Sequence, residues 1–155
     1  MRSLRVATVF IFIFFLSACA SLPGFGKKAD QTSPDSVAQT YIEAFYTGNS
    51  NTIKNILLPS ELTEINEDPE ASLIFVAVEN IGKYIKNGGG YKNLKMREMT
   101  KDKHDTARTY YYRIELPYVT RHSPTEWLEE SSSIDLVKDA NGLWWIKQID
   151  GIYKF

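Results

Sequence analysis

Apolar positions along the chain fall into one continuous run followed by several periodic ones. Positions 6–16 read VATVFIFIFFL, broken only by Thr8, and Arg2 and Arg5 stand just ahead of them. A charged start, a short apolar core and a small-residue exit form the pattern of a secretory signal. The alternative, an uncleaved membrane anchor, needs a run of about 20 residues, roughly twice what is present. Residues 20–33 (ASLPGFGKKADQTS) show neither helical nor strand period and read as a flexible tether.

Periodicity begins at Ser33. Ser33-Pro34 offers a capping hydroxyl before a proline suited to the first helical position, with Asp35 in the first turn. Val37, Ala38, Tyr41, Ile42 and Phe45 recur at three- and four-residue spacing, and Gly48 closes this predicted helix. Asn49 or Ser50 caps a short second helix carrying Ile53, Ile56 and Leu57, stopped by Pro59. The acidic stretch ELTEINEDPE reads as a connection with at most one helical turn. A third helix fits Pro69 to Lys86, with Ile74, Ala77, Val78, Ile81 and Ile85 on one stripe and a stop at Asn87-Gly88-Gly89-Gly90.

The rest alternates with period two. Tyr91–Met99 and Ala107–Thr120 are the first two predicted strands. In the second, Tyr110, Tyr112, Ile114, Leu116 and Tyr118 share one face, and Thr109, Tyr111, Arg113 and Glu115 share the other. Pro117 suggests an edge or a bend there. Ser132–Lys138, the turn Asp139-Ala140-Asn141-Gly142 and Leu143–Ile149 complete a terminal hairpin. Helices followed by strands predict an α+β domain, its N-terminal helices packed on one face of a curved antiparallel sheet of about four strands.

Composition adds limits. At 155 residues, 43% hydrophobic and 24% charged, the chain suits one globular domain. Two of its 18 basic residues precede Cys19 and all 19 acidic ones follow it, leaving the remainder near −3. That balance gives no electrostatic reason to expect nucleic-acid binding. Cys19 is the single cysteine, so no internal disulfide can form. Its context, Leu16-Ser17-Ala18-Cys19, resembles the bacterial lipobox. The resemblance implies lipidation of Cys19, removal of residues 1–18, a tether over 19–32 and a folded domain over 33–155. Several acyl chains, each methylene worth about 0.8 kcal/mol when buried, hold a protein on a bilayer. Ala20, where lipoproteins retained in the inner membrane usually carry Asp, implies the outer membrane, facing the periplasm.

The opening SPDSVAQTYIEAFYTGNSNTIKNIL and the closing IDLVKDANGLWWIKQIDGI resemble the cystatin-like roll of the nuclear-transport-factor-2-like (NTF2-like) superfamily, over about Ser33 to Tyr153. Small envelope lipoproteins share this layout. In the superfamily's enzymes the curled sheet and the helices enclose a cone in which an Asp, or a His–Asp pair, acts as a base near a Tyr. By resemblance the pocket candidates are Tyr110, Tyr112, Asp135, Trp144 and Trp145. Asp135 alternates with Ile134 and Leu136, however, and that pattern turns it away from the core. Adjacent Trp144 and Trp145 take opposite sides, in an order the sequence leaves open.

No other chemistry assembles. His104 and His122 sit in loops without partners at metal-ligand spacing, and Gly88-Gly89-Gly90 lacks the Lys-Ser/Thr of a phosphate loop. No metal or cofactor is expected. Tyr111, Arg113 and Trp127 are the surface-contact candidates, Tyr111 on the outer sheet face and Trp127 in a loop spanning Arg121 to Glu130. For Tyr111 the competing role is plain cross-strand packing. The expected function is a non-enzymatic, membrane-tethered binding or assembly domain with an envelope protein partner. Small-ligand binding or isomerase- or cyclase-like chemistry in the cone, and an accessory role in a secretion system, are the alternatives.

Overall fold

The computed structural model describes residues 28–118 and 126–149; Cys19 and its signal, His122 and the last six residues lie outside them. Four helices precede four strands: α1 Pro34–Thr47, α2 Ser50–Ile56, α3 Pro59–Glu67, α4 Leu73–Asn87, β1 Lys92–Lys101, β2 Ala107–Tyr118, β3 Glu126–Lys138 and β4 Trp144–Ile146. The strands form one antiparallel sheet in the order β1-β2-β3-β4. The fold is the expected α+β arrangement. Tyr110, Tyr112, Ile114 and Leu116 of β2 share a core with Val37, Ile42, Phe45, Ile53 and Val78 of the helices.

Local chemistry explains the helix boundaries. Ser33 accepts from the Ser36 amide and Pro34 opens α1. Gly48 ends it with φ 74°, a left-handed turn that costs glycine nothing. Asn49, not Ser50, caps α2, its side chain accepting from the Thr52 amide at 3.1 Å. Ser50 is buried and donates to Glu79 of α4 at 2.7 Å.

Several boundaries differ from the sequence reading; β4, for one, ends at Ile146 rather than Ile149. The acidic stretch taken as a connection is the nine-residue helix α3, begun by Pro59 and held to the core by Ile65 and half-buried Leu62. Two apolar anchors in nine residues leave too faint a stripe to see in the sequence. The following helix starts at Leu73 rather than Pro69, because the Asp68 carboxylate accepts from the Glu70 amide and holds Pro69–Ser72 in turns. β3 starts at Glu126 rather than Ser132, so Trp127 lies in a strand and not in a loop. On the core-facing side of its first half only Leu128 is apolar, so pairing with β2 organises this stretch and alternation does not reveal it.

Helix α1 meets α4 glycine to glycine. A Cβ on Gly82 would lie 2.5 Å from the Thr47 carbonyl carbon and closer still to the Gly48 amide and Cα. These are backbone atoms and cannot swing aside.

Both sheet edges are guarded. Two register shifts interrupt β1, one beside Asn93 at φ 52°, and Lys92, Lys95, Arg97 and Lys101 line it. On β4, the Trp144 amide donates to the Gln31 carbonyl at 2.7 Å, and the Leu58 amide donates to the Ile146 carbonyl at 2.9 Å. Gln31, within the stretch read as tether, is thus bound to the sheet. Pro117 is tolerated in β2 because β1 pairing ends at Glu115, which leaves Pro117 a neighbour only in β3.

The β1–β2 turn is organised by Asp102, which accepts from the amides of His104, Thr106 and Ala107 and from the Thr106 hydroxyl. Those bonds, the Ala107 amide foremost, hold its carboxyl down at about 2.

Two predictions follow from this architecture. Gly82→Ala should lower stability by about 1–3 kcal/mol in urea unfolding, whereas Asn80→Ala on the exposed side of α4 stays within about 0.5. Because the Asp102 carboxyl is depressed only in the folded state, its contribution is complete above about pH 4 and is lost as pH falls through about 2. The urea midpoint of Asp102→Ala should therefore fall less steeply than wild type between pH 4 and pH 2.

Candidate functional site

Strand β2 deals its three consecutive tyrosines to opposite faces: Tyr110 and Tyr112 inward, Tyr111 outward. Inward, two polar groups form. In the first, the Tyr110 hydroxyl donates to the Asp35 carboxylate in the first turn of α1. Burial, and then that bond, push the phenol up to about 12. Arg108, two residues earlier, donates to Asp105 at 2.9 Å and to Glu98 at 2.7 Å. Arg108 and Lys138 each lie 5.2 Å from the ring centroid of Trp144, which is 1% exposed. Every charge in this group has a partner. Its work is to bind α1 to the sheet.

The second group is different. The hydroxyls of Tyr46 on α1 and Tyr112 lie 3.0 Å apart in the interior, and Ser132, paired across from Tyr112 on β3, is bonded to the Tyr112 hydroxyl. Tyr46 also packs against Phe45 (5.1 Å between centroids), Tyr112 (6.1 Å) and Tyr91 (6.4 Å). Glu130 stands on the same face of β3, opposite Ile114 and two residues from Ser132. Burial chiefly raises the Tyr46 and Tyr112 phenols, and the Glu130 charge adds to the effect on both. Among the described residues no Lys or Arg lies within ion-pair distance of Glu130. Glu130 thus lies on the same side of the sheet as the paired phenols, but it is exposed to solvent.

Asp135 itself faces outward, as alternation implies, and accepts from the Thr109 hydroxyl at 2.6 Å. The tryptophans sort themselves: Trp144 is core, and Trp145 is half-buried on the outer side, donating to Asp139 at 3.0 Å. Of the five pocket candidates the structure brings Tyr110, Tyr112 and Trp144 to the interior and leaves Asp135 and Trp145 outside it. Glu130, Tyr46 and Asp35 escaped the sequence reading. Counting back by twos from Ile134 reaches Ser132 and Glu130, so a signal for Glu130 existed once β3 is known to extend that far.

The outer face gathers all three surface candidates. Arg97 lies 5.4 Å and Arg113 5.8 Å from the Tyr111 ring centroid, and Arg113 also donates to the Tyr111 hydroxyl at 3.1 Å. A bond from Ser131, and then Arg113, hold that phenol below its ordinary range. Lys92 sits 3.5 Å over the ring of Trp127, and Arg113 approaches Glu129 at 3.6 Å. His104 is exposed in the Asp102 turn. Among the described residues no group of three His, Cys, Asp or Glu side chains could hold a metal ion, and no helix is long and apolar enough to cross a membrane.

No family model matches the sequence, and no curated protein does. Solved structures do resemble the fold. A Campylobacter jejuni protein provisionally described as an NTF2-like transpeptidase superposes with TM-score 0.52 at 16% identity, covering 76% of this chain and 99% of its own. A SEC-C motif protein of Rhodopseudomonas palustris gives 0.48 at 11% identity, covering 77% of this chain and 81% of its own. A SEC-C motif protein of Psychrobacter arcticus gives 0.46 at 19% identity, covering 79% and 61%. The first likeness establishes an NTF2-like α+β fold. It carries the fold alone.

Tyr46→Phe and Tyr112→Phe each remove one end of the same buried hydrogen bond. Each should cost about 1 kcal/mol, with the double variant costing less than the sum; urea midpoints of the four proteins check this.

Proposed function

We propose that the chain is a lipid-anchored envelope protein, held through Cys19 in the outer membrane and facing the periplasm, whose domain binds a protein partner without catalysing a reaction. The anchor rests on Leu16-Ser17-Ala18-Cys19 behind a charged, short apolar leader. The ten residues 20–29 separate Cys19 from Asp30, near the point where Gln31 joins β4. Fully extended they reach roughly 35 Å, enough to lift the domain clear of lipid head groups. No cofactor and no nucleic acid enter this reading.

One observation carries the binding role. The outer sheet face bears Tyr111 between two arginines and Trp127 beneath Lys92, and Tyr, Trp and Arg are the residues that anchor protein interfaces.

Cys19→Ser should abolish incorporation of an alkyne-tagged fatty acid and release the protein from membranes while leaving its circular dichroism unchanged; acylation of the variant would refute the anchor. A photo-crosslinking residue at Tyr111 should capture one discrete envelope product that disappears when Arg97 and Arg113 are both changed to Glu. If folded protein yields no such product, or one indifferent to those charges, the outer face is not the docking surface.

A further inference from the structure

We infer that the outer face of the sheet docks an acidic segment of a partner protein, whose carboxylates are received by Lys95, Arg97 and Arg113 beside Tyr111. This rests on the docking role of that face and names the partner's chemistry. Pairing of β1 with β2 sets Lys95 opposite Arg113 and Arg97 opposite Tyr111, and all three cations are exposed. Side chains on one face of a strand stand about 6.5 Å apart along it, and partners across a strand pair about 5 Å. The three cations therefore form one tight cluster. Among the described residues no carboxylate lies within ion-pair distance of Lys95 or Arg97. The one near Arg113 is Glu129, at 3.6 Å in a pair more than half exposed on both sides.

Folding alone does not account for this cluster. Like charges directly opposite one another destabilise a strand pair, and Lys95 faces Arg113 in that way. Protection of the β1 edge does not require it either. A glutamate at position 95 would guard the edge equally well and would pair with Arg113. The guanidinium groups are meanwhile held in place: Arg97 and Arg113 lie 5.4 and 5.8 Å from the Tyr111 ring centroid, and Arg113 donates to the Tyr111 hydroxyl at 3.1 Å. An arginine so placed keeps N–H groups for a carboxylate and loses little freedom in binding it. A discrete acidic segment fits better than an anionic bilayer, because Glu115 and Glu129 share this face. A continuous layer of phosphates would press on those carboxylates too, whereas a peptide can set its own over the cations alone. Glu129 then acts as a placeholder: its exposed pair with Arg113 is weak and gives way to a partner carboxylate.

The test uses the full chain in phosphatidylcholine nanodiscs at constant ionic strength, following the backbone amide resonances of β1 and β2. The probes are a blocked hexapeptide of alternating glutamate and threonine, the same peptide with glutamine for glutamate, and phosphatidylglycerol nanodiscs. The glutamate peptide should bind with its largest shifts at Lys95, Arg97 and Arg113, and the glutamine peptide about tenfold more weakly. Lys95→Gln should weaken binding several-fold without lowering the urea midpoint, whereas loss of a residue kept for stability would lower it. Glu129→Gln should tighten binding several-fold by freeing Arg113. If the glutamate peptide does not bind, or the glutamine peptide binds equally well, or neither substitution changes affinity, the acidic assignment falls; a discrete crosslinked product at Tyr111 then still upholds the docking face. Shifts produced by phosphatidylglycerol and not by the peptide make this face a lipid contact and overturn the inference. If the peptide does not bind and Tyr111 captures no product, both readings fall.

Discussion

The period-two geometry of β2 decides where almost every functional side chain of this domain lies. β2 is flanked by β1 and β3, and its pairing with β3 runs unbroken from Ala107↔Val137 to Tyr118↔Glu126. A slip of one residue would exchange the two faces, placing Arg113 and Glu115 in the core and Ile114 and Leu116 in water. Burying each of those two aliphatic side chains is worth about 1.5–3 kcal/mol, so a single register is strongly preferred. The same register puts Tyr112 against Tyr46 and Tyr111 between two arginines. Core and surface are therefore set by one choice.

The two ends of the inner face then diverge through their charges. At the end where β2 begins, Arg108 is matched by Asp105 and Glu98, Tyr110 by Asp35, and Trp144 is sealed beneath two cations. Such a saturated network rigidifies and leaves nothing for a ligand to complete. Further along the strand this face opens to solvent: Glu130 is exposed, and beyond it Leu128 is 46% exposed and Tyr118 48%.

Much of this was legible from the residues, for identifiable reasons. The β2 alternation, the Ser33-Pro34 start, the Gly48 stop and the Asp139–Gly142 turn are local rules with strong residue preferences, and each operates as expected. The α+β class followed from the order of elements, and the opening and closing segments carried the resemblance to the NTF2-like roll. What escaped depends on distant partners. Helix α3 has two apolar anchors, and the first half of β3 presents Glu126, Glu130 and Ser132 on its inner side, so neither shows a period by itself. Asp35 reads as an ordinary first-turn acid until Tyr110, distant in sequence, arrives beside it. The site's carboxylate was sought at Asp135 because apolar neighbours drew attention there, yet those neighbours are what turn it outward.

The guarding of both sheet edges bears on how this domain can meet anything else. An open strand edge invites main-chain pairing, which is tolerant of side-chain identity and prone to aggregation. Here Gln31 and Leu58 occupy backbone groups on the free side of β4, and bulges with a row of lysines and an arginine break up β1. A domain that Cys19 would concentrate on a membrane has particular reason to suppress such pairing, since neighbouring copies lie at high local density. With the edges closed, the surfaces left for recognition are faces, and faces discriminate through side chains. The outer one offers cations on aromatic rings, whereas Tyr110 and Tyr112 of the inner one are buried against the helices.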